Sequence, residues 1–204
     1  MKHILLLSTA ALFASTAAFA APPDQPGHKS PAPGTNSETM SNVEDATSHA
    51  VGTMSAAMTS SLQGFVTAAA ISDMYEVEAG KIAEQRSSNP EVKAFAEKMV
   101  QAHTETTAKL KSILAGMKNA PAAPAHLDNR RQGLIDNLRG ASAADFDARY
   151  MSQQVDAHKE ALSLMKGYAK DGDNPAVKRF AADTAPKVQD HLNMAEPLYK
   201  KLSK

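Results

Sequence analysis

NPEVKAFAEKMVQAH, residues Asn89 to His103, decides the fold because the chain repeats it. The second copy is NPAVKRFAADTAPKVQDH, Asn174 to His191. Both copies read Asn-Pro-x-Val-Lys-x-Phe-Ala, continue at helical spacing and end in Val-x-x-His. A third Val-x-x-His, Val155 to His158, stands outside the repeats. Asn is a strong N-cap, and Pro fits the first helical position because its missing N–H has no intrahelical partner to lose. The apolar stripes that follow are Val92, Phe95, Met99 and Leu110 in one copy and Val177, Phe180, Val188 and Leu198 in the other. They recur at i, i+3, i+4 and i+7 and predict amphipathic helices. Two such segments, each paired with a preceding helix, predict an all-α fold: an antiparallel four-helix bundle made of two related helical hairpins.

Working outward, the first helix is expected over Leu62–Ser87 and the second over Pro90–Lys118. The Ala/Pro-rich stretch Asn119–Ala125 breaks the helix and forms the crossover between hairpins. A short helix is expected over Leu127–Leu138, ending at Gly140. The third long helix should start at Ser142, with Asp145 completing a variant capping box, and end at Asp171-Gly172-Asp173. The fourth opens at Asn174-Pro175 and should be kinked by Pro186.

The stripes place one titratable residue on the inner face of each long helix: Glu76, His103, His158 and His191. Glu78, on a neighbouring stripe, is a second candidate carboxylate. An unpartnered polar group in a bundle core costs about 1–3 kcal/mol, so such a layer needs either mutual hydrogen bonds or a shared ion. Imidazole and carboxylate suit one transition-metal ion, Zn, Fe, Cu or Mn. The residue three before each histidine is Val100, Val155 or Val188, whereas a di-iron centre of the bundle type needs Glu there. A mononuclear site built from Glu76 and the histidines fits better. Counting residues from the hairpin turns puts Glu76, His103 and His158 at one level. It puts His191 about 6 Å farther along, an offset that a kink at Pro186 would absorb in part, since eleven residues separate it from Phe180 while eight separate His103 from Phe95. The competing reading is a structural one, in which Tyr75, Tyr150, Thr106 and Thr184 satisfy the histidines and the layer only fixes helix register.

Composition narrows the function classes. The 204 residues carry 22 basic and 22 acidic side chains and no cysteine, which excludes disulfides and thiolate ligands. No basic run predicts a nucleic-acid partner. Residues Met1–Ala20 read as a secretory signal: Lys2, an apolar core over Ile4–Ala18, and Ala18-Phe19-Ala20 as the cleavage site. A periplasmic protein without a transmembrane segment is expected, with association with the outer membrane left open. Residues 21–61 read as a low-complexity linker whose weakly helical stretch from Val43 to Leu62 either packs on the bundle as a short helix or belongs to a tether toward an envelope protein partner, and residues 62–204 read as the bundle domain. Met54 and Met58 stand one turn apart, a spacing open to a soft ion but better explained as packing. Nucleophile triads, phosphate loops and dinucleotide fingerprints are absent, so a binding or structural module is expected and not an enzyme. An oxidoreductase would need an open coordination position on a bound metal.

From Phe65 to about Leu202 the chain resembles the DUF4142 family of bacterial exported proteins. The resemblance is carried by Glu76-Val77-Glu78-Ala79-Gly80-Lys81-Ile82-Ala83, Asn89-Pro90-Glu91-Val92-Lys93-Ala94-Phe95-Ala96 and Met99-Val100-Gln101-Ala102-His103. Phe146-Asp147-Ala148-Arg149-Tyr150, Val155-Asp156-Ala157-His158, Pro186 and His191 extend it. It implies a ferritin-like helical bundle and export, brings no assigned activity, and matches Glu76, His103, His158 and His191 to the family's polar positions.

Overall fold

A computed structural model describes residues 45–47, 49 and 59–203. The signal-like segment and most of the linker, including Met54 and Met58, lie outside the described residues. The described chain is all-helical. Four long helices, α1 (Leu62–Arg86), α2 (Pro90–Ala115), α4 (Phe146–Asp171) and α5 (Pro175–Leu202), are joined by a short α3 (Asn129–Gly140).

The helix starts follow from the caps. Asn89 Oδ1 accepts from the Glu91 N–H at 2.9 Å, and Asn174 Oδ1 from Ala176 and Val177 at 3.0 and 3.2 Å, each with its proline in the first turn. Ser61 and Asp128 cap α1 and α3 through Gly64 and Arg131. The third long helix starts four residues later than Ser142. The Ser142 hydroxyl and carbonyl accept from the Asp145 N–H, so Ser142–Asp145 closes a turn before the helix and Asp145 makes no side-chain cap. The second helix stops at Ala115, where Gly116 caps it, and α5 continues through both Pro186 and Pro197.

The repeat shows in the packing. Val92 and Val177 are fully buried, as are Ala96 and Ala181, and Phe95 and Phe180 are equally covered. The two copies nonetheless open in different places. Phe180 joins Phe65, Val66, Leu110, Leu164 and Tyr168 in one apolar cluster. Phe95 joins Met99, Leu138, Phe146, Tyr150 and Leu192 in another. Helix α1 starts in the first cluster and ends in the second, as does α5; α2 and α4 run the other way. Neighbouring long helices are therefore antiparallel, and the connection from α2 to α4 travels from one cluster back to the other. Burying a phenylalanine contributes roughly 1.5–3 kcal/mol, and both clusters contain two of them, Phe65 with Phe180 and Phe95 with Phe146.

Helix α3 closes the Phe95 end through Leu134, Ile135 and Leu138. Arg86 fixes it: its guanidinium donates to the carbonyls of Leu138, Arg139 and Ala141 at 2.7–2.8 Å and lies 4.5 Å over the Phe146 ring. Those carbonyls belong to the end of α3, where a cation also meets the negative end of the helix dipole. The described residues before α1 dock on this face. Asp45 accepts from Asn137, Arg149 and Gln153, and His49 lies 3.7 Å from Asp156.

Two glycines test the packing. A Cβ on Gly80 would lie 2.6 Å from Val100 Cγ2 and 3.1 Å from the Ala96 carbonyl, whereas one on Gly133 would meet nothing within 4 Å. Gly80→Ala should lower stability, because overpacking costs about 1–3 kcal/mol against a helix-propensity gain of about 1 kcal/mol. Gly133→Ala should raise stability by up to about 1 kcal/mol. Urea unfolding of the two variants checks both signs.

Candidate metal centre

Between the two apolar clusters every long helix contributes polar side chains. They are Ser72, Asp73 and Glu76 from α1, His103 from α2, Gln154 and His158 from α4, and Thr184 and His191 from α5, and all are buried. Of the four residues expected inside, the structure brings the three histidines together. Their ring centroids are 5.5–5.8 Å apart in all three pairs. One ring nitrogen from each lies within 4.8 Å of the others. Glu76 is buried beside them, with Oε1 3.9 Å from His158 Nδ1. Glu78 is outside the layer and pairs with Arg139 at 2.7 Å.

The expected 6 Å offset of His191 is not found. Side chains on a helix lean toward its N-terminus. Helices α4 and α5 are antiparallel, so His158 and His191 lean toward each other along the bundle axis and the rings meet where residue counting separates the backbones.

The expected hydroxyl partners are also corrected. Thr106 and Thr184 donate to the carbonyls one turn back, Ala102 and Phe180, and Tyr75 donates to Gln153 Oε1. Tyr150 Oη has no hydrogen-bond partner. In a helix a threonine hydroxyl finds the i−4 carbonyl without any tertiary contact. The partner of His103 is instead Asp73, which the sequence reading missed. His103 Nδ1 lies 2.8 Å from Asp73 Oδ1, and Thr107 donates to Asp73 Oδ2 at 3.0 Å. Asp73 stands three residues before Glu76, on the same helical face, and that spacing was the available signal.

These bonds set the ring tautomers. Nδ1 of His103 donates to a carboxylate, and Nδ1 of His158 donates to the Gln154 carbonyl at 2.8 Å. In the neutral rings the lone pair is then on Nε2, and both Nε2 atoms are buried without a hydrogen-bond partner. His191 Nδ1 and Glu76 Oε2 are in the same condition. The Gln154 amide lies beside Glu76, but neither of its polar atoms completes a hydrogen bond.

Burial governs the charges. His158 is pulled down to about 3 by burial and then by the neighbouring His103 charge, with its bond to the Gln154 carbonyl opposing. His191 is pulled down to about 3 by burial and by the other two histidines, with Lys98 and Lys187 adding to it. Burial also lowers His103, but the Asp73 hydrogen bond and the charges of Glu76 and Asp73 outweigh it and leave the ring above its ordinary value. Glu76 is raised by burial against the opposing charges of His103 and Arg131. Arg131, 2% exposed on α3, lies 4.7 Å over the Tyr75 ring and pairs with Glu160 at 3.1 Å.

The donor set fits a transition metal. Three points within 4.8 Å of one another enclose a centre at most about 2.8 Å from each, against about 2.0–2.1 Å for a zinc–imidazole bond, a gap that small ring rotations close. A carboxylate behind a ligating imidazole, as Asp73 stands behind His103, fixes the ring and raises its basicity. Val155 and Val188 are buried, so no carboxylate stands one turn before His158 or His191 to bridge a second ion.

The family model described as a domain of unknown function, DUF4142, matches residues 47–198. The chain belongs to the DUF4142 family. The match reaches back beyond Phe65 to Thr47, two residues from Asp45 and its contacts to the bundle, and it spans all four polar positions. No curated protein and no solved structure matches the chain. Among the described residues of this DUF4142 protein no helix is long and apolar enough to cross a membrane.

The depressed histidines predict a pH dependence. A group whose folded pKa lies below its unfolded value contributes stability above the unfolded pKa and loses it as pH falls toward the folded one. His158 and His191 should therefore make the metal-free protein lose stability as pH drops from about 6.5 toward 3, with the raised Glu76 opposing part of the fall. His103 has the opposite sign, but its window lies above its ordinary pKa. His158→Gln should flatten the fall by one proton taken up on unfolding, measured by urea titration in chelator across that range. An unchanged slope contradicts the neutral, desolvated His158.

Proposed function

We propose that this protein is an exported metal-binding module of the cell envelope, with a ferritin-like bundle holding one transition-metal ion through His103, His158 and His191. The observation that carries the reading is the convergence of three buried imidazoles whose inward nitrogens have no hydrogen-bond partner. Neutral His158 and His191 are ready to ligate, and an ion at His103 Nε2 replaces a proton there. Buried Glu76 and Asp73 supply two negative charges, which balance a divalent cation. A bound ion would supply Lewis acidity at a water-poor site; the chain's own residues orient the rings and hold the carboxylates. Zn, Fe, Cu and Mn all accept this donor set.

The ferritin-like assignment is supported by the long return from α2 to α4, because bundles of that class use one long crossover. Export is supported by the Lys2, Ile4–Ala18 and Ala18-Phe19-Ala20 pattern. A second reading, a metal-free polar layer that fixes helix register for an interaction module, is favoured by the Asp73–His103 bond, which satisfies one ring nitrogen without any ion.

Elemental analysis of untagged protein purified from the periplasm separates the two. Near-stoichiometric metal, lost in the His103→Ala/His158→Ala variant, is expected. Asp73→Ala should keep the stoichiometry at saturating metal but weaken affinity about 10–100-fold. A metal-free protein that gains no thermal stability from added metal supports the register reading instead. At 100 times the dissociation constant, a bound ion should add about 2.7 kcal/mol.

A further inference from the structure

A cavity of about 60 Å³ touches the histidine layer from one side. His103 and His191 line its inner end, and His158 does not. The hydroxyl-bearing residues Ser72 and Thr184 and the side chains of Met165 and Val188 form its walls. Asp73 and Ala161 complete the buried lining, and the exposed lining residues are Glu105 and Lys109 of α2 and Lys187 of α5. Glu105 accepts a hydrogen bond from Gln101 at 3.2 Å. Inside, both oxygens of Asp73 are engaged, one by His103 and one by Thr107. That volume exceeds the roughly 10–15 Å³ one water needs, so the cavity has room for a ligand of a few heavy atoms.

From this placement we infer that the cavity is an entry channel by which a small inorganic anion reaches the metal centre, with Lys109 and Lys187 drawing it in. The inference rests on the metal reading above. Three protein ligands leave a coordination position for an outside ligand, and the cavity is the route that meets two of those ligands from one side. A cleft with a net positive rim concentrates anions, and the effect is screened by salt.

The probe is azide, titrated into the cobalt(II)-loaded full-length mature protein and followed by visible absorption. A saturable spectral change is expected in the wild type, weakened by added potassium chloride. Lys109→Gln/Lys187→Gln should bind azide about fivefold more weakly, in line with the energy of exposed charge contacts, and should lose most of the salt dependence. Ala102→Leu, which fills the cavity from the α2 wall, should abolish the azide response while cobalt stoichiometry stays unchanged. Cobalt that binds but gives no azide response, or lysine variants that bind azide as the wild type does, overturns the channel and leaves the metal centre standing. Failure to hold cobalt overturns the metal centre and the channel with it.

Discussion

The polar layer between two apolar clusters is the constraint on which the structure depends. Each long helix carries a buried histidine or carboxylate where it leaves one cluster and enters the other: Asp73, His103, His158 and His191. A fully apolar seam would tolerate a helix sliding by one turn. Here such a slide would move a histidine or a carboxylate into a cluster of Phe, Leu and Met with nothing to bond. That cost, about 1–3 kcal/mol for each buried group left unsatisfied, holds the four helices in one register. The caps and hairpin turns then fix where each helix begins.

The layer is not self-sufficient. Asp73, itself held by Thr107, and the Gln154 carbonyl satisfy the outer nitrogens of two rings, and those same bonds turn the lone pairs inward. The result is a group of buried atoms, His103 Nε2, His158 Nε2, His191 Nδ1 and Glu76 Oε2, that lack hydrogen bonds in a low-dielectric surrounding. Burial first, and then the repulsion between imidazoles brought this close, holds His158 and His191 neutral. The arrangement that stabilises the helix register thus also prepares a donor set for a cation. Structure and proposed function rest on the same three rings.

The helical class, the hairpin repeat and the inward direction of Glu76, His103, His158 and His191 were legible because periodicity fixes which face of a helix is buried. Level along the axis was less legible. Counting residues from the turns separated His191 from the others, since a count follows the backbone and ignores the opposite lean of side chains on antiparallel helices. Asp73 was hidden for a different reason: an aspartate one turn from a recognised inner glutamate reads as the solvated edge of the stripe until its partner on α2 is known. Arg131 and the Asp45 contacts were likewise out of reach, because they depend on how α3 and the residues before α1 lie across the bundle. Ser142 was misread as a helix start because its hydroxyl caps a turn just as well as a helix.

The most direct test of the central claim is X-ray absorption spectroscopy at the K-edge of the metal bound to the mature protein. Outer-shell scattering counts imidazole ligands independently of any activity. Three histidine ligands, falling to two in His191→Ala, are predicted. A first shell of oxygen atoms without imidazole scattering, or a spectrum indifferent to loss of His191, would contradict the account.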